Sequence, residues 1–385
     1  MNIVHIVPTF YPATYWGGPI YSVYGLCNAL VKIPGVSLKV LTTDAASHSR
    51  SDSVDVSDFP MHYPGGYEVY FCHRLWGASF SPSMLLKLWA MIRLADVVHL
   101  TAVYSSPTIP TLLICRLLGK SLVWSPRGAL QRWDGSTKPL VKDAWERICN
   151  MLIKPGKCFL HVTSEAEAIA GLERMPKTIA KLIPNAVDIP ERLPDKAWLP
   201  AGKLRLLYIG RIHPKKGIEN LLQAIKILDD ESITLSIYGT GDDGYTQSLH
   251  QLVDKLGMEK SVKFYGHVVG EEKKKVFMQA DLCVVPSFTE NFGMVIAEAL
   301  VHGVPVISSK GTPWQEMESR GCGLWIENTP EAIAEAICNL DRDSLSVMGL
   351  KGKSWIENEF TWPVIGRQFY DVYESIIKED HNVFK

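Results

Sequence analysis

The 385-residue chain has no uninterrupted apolar run of about 18 residues, the length needed to span a bilayer as a helix. Its opening stretch, Met1-Asn-Ile-Val-His-Ile-Val-Pro8, has neither a basic leader nor a long apolar core and does not read as a signal peptide. The eight cysteines, at 27, 72, 115, 149, 158, 283, 322 and 338, include no Cys-x-x-Cys pair and no metal-finger spacing. Scattered singles of this kind are expected as buried small hydrophobes in a reducing compartment, which places the chain in the cytoplasm. Nor is there a charge excess, with 40 Lys+Arg against 41 Asp+Glu, and that balance excludes a dedicated nucleic-acid binder.

The charge is unevenly placed. Residues 1–195 hold 19 basic and 15 acidic side chains, and residues 196–385 hold 21 and 26. Within the first half, residues 74–160 carry 12 basic and 4 acidic groups. Such a patch is either a solvated face or one drawn to an anionic membrane. In it Trp76, Met84, Trp89 and Met91 line up around Lys87 and Arg93, as core packing or as membrane contact.

Short apolar β-branched runs alternate with helical patterns along the chain. Strands are expected at Ile3–Val7, Ser37–Leu41, Glu68–Cys72, Asp96–Leu100, Ser121–Trp124, Cys158–Val162 and Lys181–Ile183. A second series covers Leu204–Ile209, Thr234–Tyr238, Val262–Tyr265, Leu282–Val285, Val304–Ile307 and Leu324–Ile326. The alternation predicts parallel sheets covered on both faces, and the strand number predicts two doubly wound domains. The division is expected near Val187–Lys203, where Pro190, Pro194 and Pro200 crowd a polar stretch. A last helix over about Trp362–Lys378 carries Tyr370, Tyr373 and Ile376–Ile377 as an apolar stripe.

Ligand crevices of such domains lie at strand C-terminal ends, so the loops there hold the candidates. After the first strand, Gly17-Gly18 leads into a helix near Ile20–Leu30; this loop is not Gly-x-Gly-x-x-Gly, which disfavours a dehydrogenase. After Leu204–Ile209 comes Gly210-Arg211-Ile-His-Pro-Lys-Lys216-Gly217, then a helix. Positive charge at a helix N-terminus suits a diphosphate, with Arg as a fork and Lys as a point charge. After Leu282–Val285, Glu290 lies in a loop and Glu298 in the following helix, with Gly293 beside its N-terminus. Two such carboxylates can accept from different hydroxyls of one nucleotide-sugar. Asp341-Arg-Asp343 reads as helix capping rather than a metal motif. Glu271-Glu-Lys-Lys-Lys275 reads as a solvated helix face. His5, His99 and His161 read as interior histidines, with His99 ending a strand on the ligand side.

Gly210-Arg211…Lys216-Gly217, Ile237-Tyr-Gly239-Thr-Gly241, Phe264-Tyr-Gly266 and Glu290-x7-Glu298 together resemble the nucleotide-binding half of family 4 retaining glycosyltransferases. The first half is similar through Gly17-Gly18, Ser125-Pro-Arg-Gly128, His161-Val-Thr-Ser-Glu165 and Asn185-Ala-Val-Asp188. The resemblance implies the α/β GT-B fold, two doubly wound Rossmann-like domains facing across a cleft. Residues 1–195 would be the acceptor side, with helix 362–385 crossing back to it, and residues 196–361 would bind the donor.

It further implies that Arg211 and Lys216 hold the donor diphosphate, Glu298 the ribose, and Glu290 the donor sugar near the reacting centre. Backbone amides of Asn291, Phe292, Gly293, Met294 and Val295 and of Gly17-Gly18 would complete the pocket, with the base near Gly266–Val268. Arg127 and His99 are assigned to the donor-sugar or acceptor side. The implied partners are a nucleoside-diphosphate sugar and a glycan or polyprenyl-diphosphate-linked acceptor, with no cofactor and no essential metal. The implied product is a bacterial surface polysaccharide such as O-antigen or capsule, made at the inner face of the cytoplasmic membrane. A sugar-nucleotide 2-epimerase and a non-catalytic nucleotide-sugar-binding subunit are the alternatives.

Overall fold

The computed structural model describes residues 1–382 apart from 48, 50, 56–58, 78, 133–137, 192–195, 197 and 199–201. Two compact units emerge, Met1–Ala186 with Trp362–Lys385, and Val187–Thr361. The first division therefore falls at the start of the proline-rich stretch. Val187 is tied into the second unit: its N–H donates to the Phe360 carbonyl at 2.9 Å and it bridges to Thr361. Pro194 and Pro200 lie outside the described residues.

In the first unit, strands β1 (Asn2–Ile6), β2 (Ser37–Thr43), β3 (Met61–His62), β4 (Glu68–Cys72), β5 (Val97–Thr101), β6 (Leu122–Ser125), β7 (Cys158–Val162) and β8 (Ile179–Leu182) form one sheet. Its order is β3-β4-β2-β1-β5-β6-β7-β8, parallel except for the β3–β4 pair. That two-residue antiparallel edge strand, too short to leave a periodic signal, is the one the sequence pattern does not show. Val4 and Ile6 enter one core cluster while Ile3 and Val7 enter another, so the sheet is buried on both faces.

The apolar stripe of the helix Trp362–Asn382 closes the second of these clusters through Ile365, Phe369, Tyr373 and Ile376. It lies against the helix Gly18–Leu30, and glycine permits the approach. A Cβ on Gly25 would sit 2.0 Å from the Trp362 ring, and one on Gly366 2.7 Å from the Ala29 Cβ.

The second unit holds β9 (Leu204–Ile209), β10 (Ile233–Tyr238), β11 (Val262–Phe264), β12 (Leu282–Val285), β13 (Val306–Ser309) and β14 (Gly323–Ile326). These are all parallel, in the order β11-β10-β9-β12-β13-β14. Leu206 and Tyr208 face one core cluster, Leu207 and Ile209 the other. The helices Ile218–Leu228 and Met294–Val301 cover these faces.

Candidate functional site

Strand β9 lies between β10 and β12, so the strand order reverses at its C-terminal end, where open parallel sheets bind ligands. The loop that follows is fastened on both sides. The Tyr208 hydroxyl donates to the Arg211 carbonyl at 2.9 Å, and the Lys215 N–H donates to His213 Nδ1 at 3.2 Å, capping the turn Pro214–Lys216. Gly217 has φ 64°, and a Cβ there would sit 2.1 Å from the Pro286 carbonyl in the loop after β12. Only glycine allows that contact. Asn328 donates to the same carbonyl at 2.6 Å, and the Phe288 N–H donates to the Lys215 carbonyl at 2.8 Å.

This packing brings Lys216 and Glu290 together. The Lys216 ammonium donates to Glu290 Oε1, which also accepts from the Ser287 hydroxyl at 2.8 Å. The Glu290 N–H is held by the Gly311 carbonyl at 2.8 Å. Glu298, on the helix Met294–Val301, pairs with Lys273 at 2.6 Å. Arg211 is exposed, and among the described residues its guanidinium has no hydrogen bond or ion pair. His213 is driven below the ordinary histidine pKa by burial and then by the cations Lys215, Arg211 and Lys216. Burial, with Lys216 next, likewise lowers Lys215. The loop thus concentrates positive charge beside the Glu290 carboxylate, at the start of a helix. An anion flanked by hydroxyl-bearing groups fits this arrangement.

The expected amide donors divide. Gly293, at φ 79°, opens the helix whose first turn holds Met294 and Val295. Phe292 is buried in the core, and its carbonyl accepts from the Trp314 indole. Its side chain is therefore structural, and Asn291 lies between it and Glu290. The Gly266 carbonyl accepts from Gly239 N–H at 2.6 Å, and Val268 packs on the cluster that also takes Met294 and Val295.

A Gly-x-Gly-x-x-Gly run does occur after β10, as Gly239-Thr-Gly241-Asp-Asp-Gly244. Its first two glycines serve the fold. A Cβ on Gly239 would lie 1.8 Å from the Gly210 carbonyl, and one on Gly241 1.9 Å from the Ile212 carbonyl. They let the loops after β9 and β10 touch, which leaves those positions closed to a pyrophosphate.

In the first unit a buried polar cluster gathers residues far apart in sequence. His99 is the central residue of β5 rather than its end, and it is fully buried. Its Nδ1 meets the Tyr373 hydroxyl and its Nε2 the Ser125 hydroxyl, each at 2.6 Å. With both nitrogens occupied it offers nothing to a sugar, and that expected role is corrected here. Ser125 also meets His161 Nδ1 at 2.7 Å, and His161 Nε2 meets the Ile183 carbonyl at 2.9 Å. His5 stacks on His99 at 4.1 Å. Burial holds His5 and His161 neutral, each lowered to about 3, and lowers His99 as well.

Beside them Arg127 donates to Asn185 Oδ1 at 2.6 Å while its Nε has no partner among the described residues. Its φ is 53°, a left-handed conformation costly for a side-chain-bearing residue, and the Gly128 N–H is anchored to Glu167 at 2.6 Å. Gly17, at φ 70°, ends a 3₁₀ turn and caps the helix that begins at Gly18; space around both is open.

Other sequence readings resolve simply. Asp341 Oδ1 accepts from the Asp343 N–H at 3.1 Å, a capping contact. Lys274 pairs with Glu271 on the helix surface, but Lys273, read as part of the same solvated face, turns to Glu298. Period alone cannot show a partner on another helix. Seven cysteines are buried as expected, while Cys338 is exposed. In the basic stretch Met84 is core, whereas Trp89 and Trp76 face outward, and Trp76 lies in a turn bridged to Phe80.

The fold is that of the GT-B class. It is shared with Anabaena HepE, solved in complex with UDP, at a TM-score of 0.69 and 17% identity, over 97% of this chain and 100% of that one. Residues 191–358 match the family model of glycosyl transferases group 1. An uncharacterized glycosyltransferase of Methanocaldococcus jannaschii is 34% identical over 188 residues, 47% of this chain and 44% of the relative. The O-antigen chain mannosyltransferase B of Escherichia coli is 31% identical over 176 residues, 44% and 45% of the two chains. The chain thus spans about half the length of these curated relatives.

Proposed function

We propose that the chain is a retaining glycosyltransferase of family 4, moving a sugar from a nucleoside diphosphate to a glycan or polyprenyl-diphosphate-linked acceptor. The observation that carries the reading is the loop Gly210–Gly217. It presents an exposed Arg211, unpaired among the described residues, and a Glu290-bound Lys216 at the reversal point of a parallel sheet. Arg211 takes two oxygens of the diphosphate and Lys216 another, so the charge on the departing nucleotide is met as it forms. Two cations supply that neutralisation without a metal.

Glu298, oriented by Lys273, accepts from the ribose hydroxyls, and Glu290 accepts from the donor sugar. The amides that open the helix at Met294 and Val295 face the same anion, with Gly266 and Val268 on the base side. Arg127, held in a strained turn, serves the sugar or acceptor. The O-antigen relative and the UDP complex of a fold neighbour support surface-polysaccharide synthesis from a nucleotide sugar.

The test is a thermal-shift series with UDP, GDP, ADP and their sugars on wild type and Lys216→Ala. A ligand at 100 times its Kd stabilises by about 2.7 kcal/mol. One nucleotide class should raise the wild-type Tm, and the variant should lose the shift. If no nucleotide shifts the wild type, the donor assignment is wrong.

A further inference from the structure

The helices Pro82–Leu94, Thr108–Leu118 and Pro139–Leu152 cover one face of the first unit's sheet. Each buries one side in a single core cluster, through Met84 and Leu88, Leu112 and Cys115, and Cys149. They adjoin one another: Arg116 on the middle helix donates to the Met151 carbonyl at 3.0 Å on the third. Their outward sides therefore point the same way. A soluble helix is polar on that side. Here it is apolar on all three.

Leu86 is 81% exposed, Trp89 46%, Leu113 41%, Leu117 64%, Leu140 81% and Met151 64%. Within each helix these recur at helical spacing, so each forms a stripe rather than an isolated exposed leucine. Arg93, Arg116 and Arg147 stand among them and carry no ion pair among the described residues. Only two acidic side chains lie on these helices, Asp143 and Glu146, and both bind Arg132 at 2.6 Å. Glu146 is buried as well. The face is thus apolar and cationic, with its few carboxylates already neutralised.

We infer that this three-helix face lies on an anionic lipid surface, with leucines and Trp89 in the acyl boundary and the arginines at the headgroups. The charge decides between occupants. A second copy would set Arg93, Arg116 and Arg147 against identical cations, whereas phosphate headgroups complement them. Among the described residues no helix is long and apolar enough to cross a bilayer, so the contact is with the surface of the membrane. Trp89 has the amphipathic ring favoured at that depth. This inference stands apart from the diphosphate and ribose contacts, since Arg211, Lys216, Glu290 and Glu298 belong to the other unit.

The experiment is co-sedimentation of the full chain with vesicles of phosphatidylcholine alone, or with about one-third phosphatidylglycerol. Wild type should pellet with the anionic vesicles only, and less at high salt, as screening requires. Leu86→Ser/Leu117→Ser/Leu140→Ser and, separately, Arg93→Glu/Arg147→Glu should each weaken binding about tenfold or more. All five positions are exposed, so an unchanged Tm and an unchanged nucleotide shift establish that the variants fold and that the donor site is intact. Wild type remaining in the supernatant with anionic vesicles overturns the inference. So does sedimentation velocity showing a dimer that the triple serine variant dissolves, because the face is then an interface between copies.

Discussion

Tyr373 donates its phenolic hydrogen to Nδ1 of His99 at 2.6 Å, joining residues 274 positions apart. The direction is fixed from the far end of the chain of bonds. The Ile183 carbonyl can only accept, so His161 carries its proton on Nε2 and takes the Ser125 hydrogen at Nδ1. Ser125 then accepts from His99 Nε2, leaving His99 Nδ1 to accept from Tyr373. Every link requires neutral imidazoles.

Stability should therefore fall with acid. His5 and His161 titrate at about 3 in the folded chain and His99 is also depressed, whereas unfolded histidines titrate near 6.5. Below about 6.5 the unfolded chain binds protons the folded one does not, so the His5 and His161 rings each remove about 1.4 kcal/mol per pH unit, down to about pH 3, and His99 acts in the same direction. Denaturant titrations from pH 7 to 5 measure this, and His161→Gln should flatten the slope by about one ring's share.

The Lys216–Glu290 pair is largely buried, with side-chain exposures of 17% and 12%. Lys216→Met leaves the Glu290 charge with the Ser287 hydroxyl alone and should cost about 2 kcal/mol of stability. Glu290→Gln should cost less, since an amide oxygen still accepts from both neighbours. Equilibrium unfolding of the two variants ranks them.

Lys273 touches Glu298 and is proposed to act on the ribose only through it. Lys273→Met should raise the donor KM about tenfold, roughly 1.4 kcal/mol, and leave kcat near wild type. Steady-state kinetics with varied donor separates this from a loss of fold, which would lower kcat in proportion to the active fraction.

Gly25→Ala places a methyl 2.0 Å from the Trp362 ring. Overpacking of this kind costs about 1–3 kcal/mol. The melting temperature should drop by several degrees, and Gly25→Ala with Trp362→Phe should recover part of the loss by shortening the ring that collides.

The element sequence was legible because parallel strands buried on both faces leave dense apolar runs, and Leu204–Ile209 and Leu282–Val285 have the bounds expected of them. The Arg211, Lys216, Glu290 and Glu298 positions followed from loop location. What escaped was pairing across the chain. Lys273 sits in a charge run that looks like any solvated helix, and His99 sits two positions inside the C-terminal end of β5, where its partners come from distant segments. The glycines of Gly239-Thr-Gly241 carry a dinucleotide spelling, yet they answer to the carbonyls of Gly210 and Ile212, which no local pattern displays.

The hydrogen bond between Val187 and Phe360 sets the entry of the second unit beside its exit, making residues 187–361 an insert within the first. On a ribosome adding 5–20 residues per second, roughly 10–35 s separate the emergence of Ala186 from that of Trp362. For that interval the surface destined for Ile365, Phe369, Tyr373 and Ile376 is bare, and the His99 imidazole lacks its phenol. The second unit, contiguous in the chain, can fold while the first waits. Synthesis thus proceeds from the inside of the order outward, and a chaperone has a defined, apolar, time-limited groove to protect.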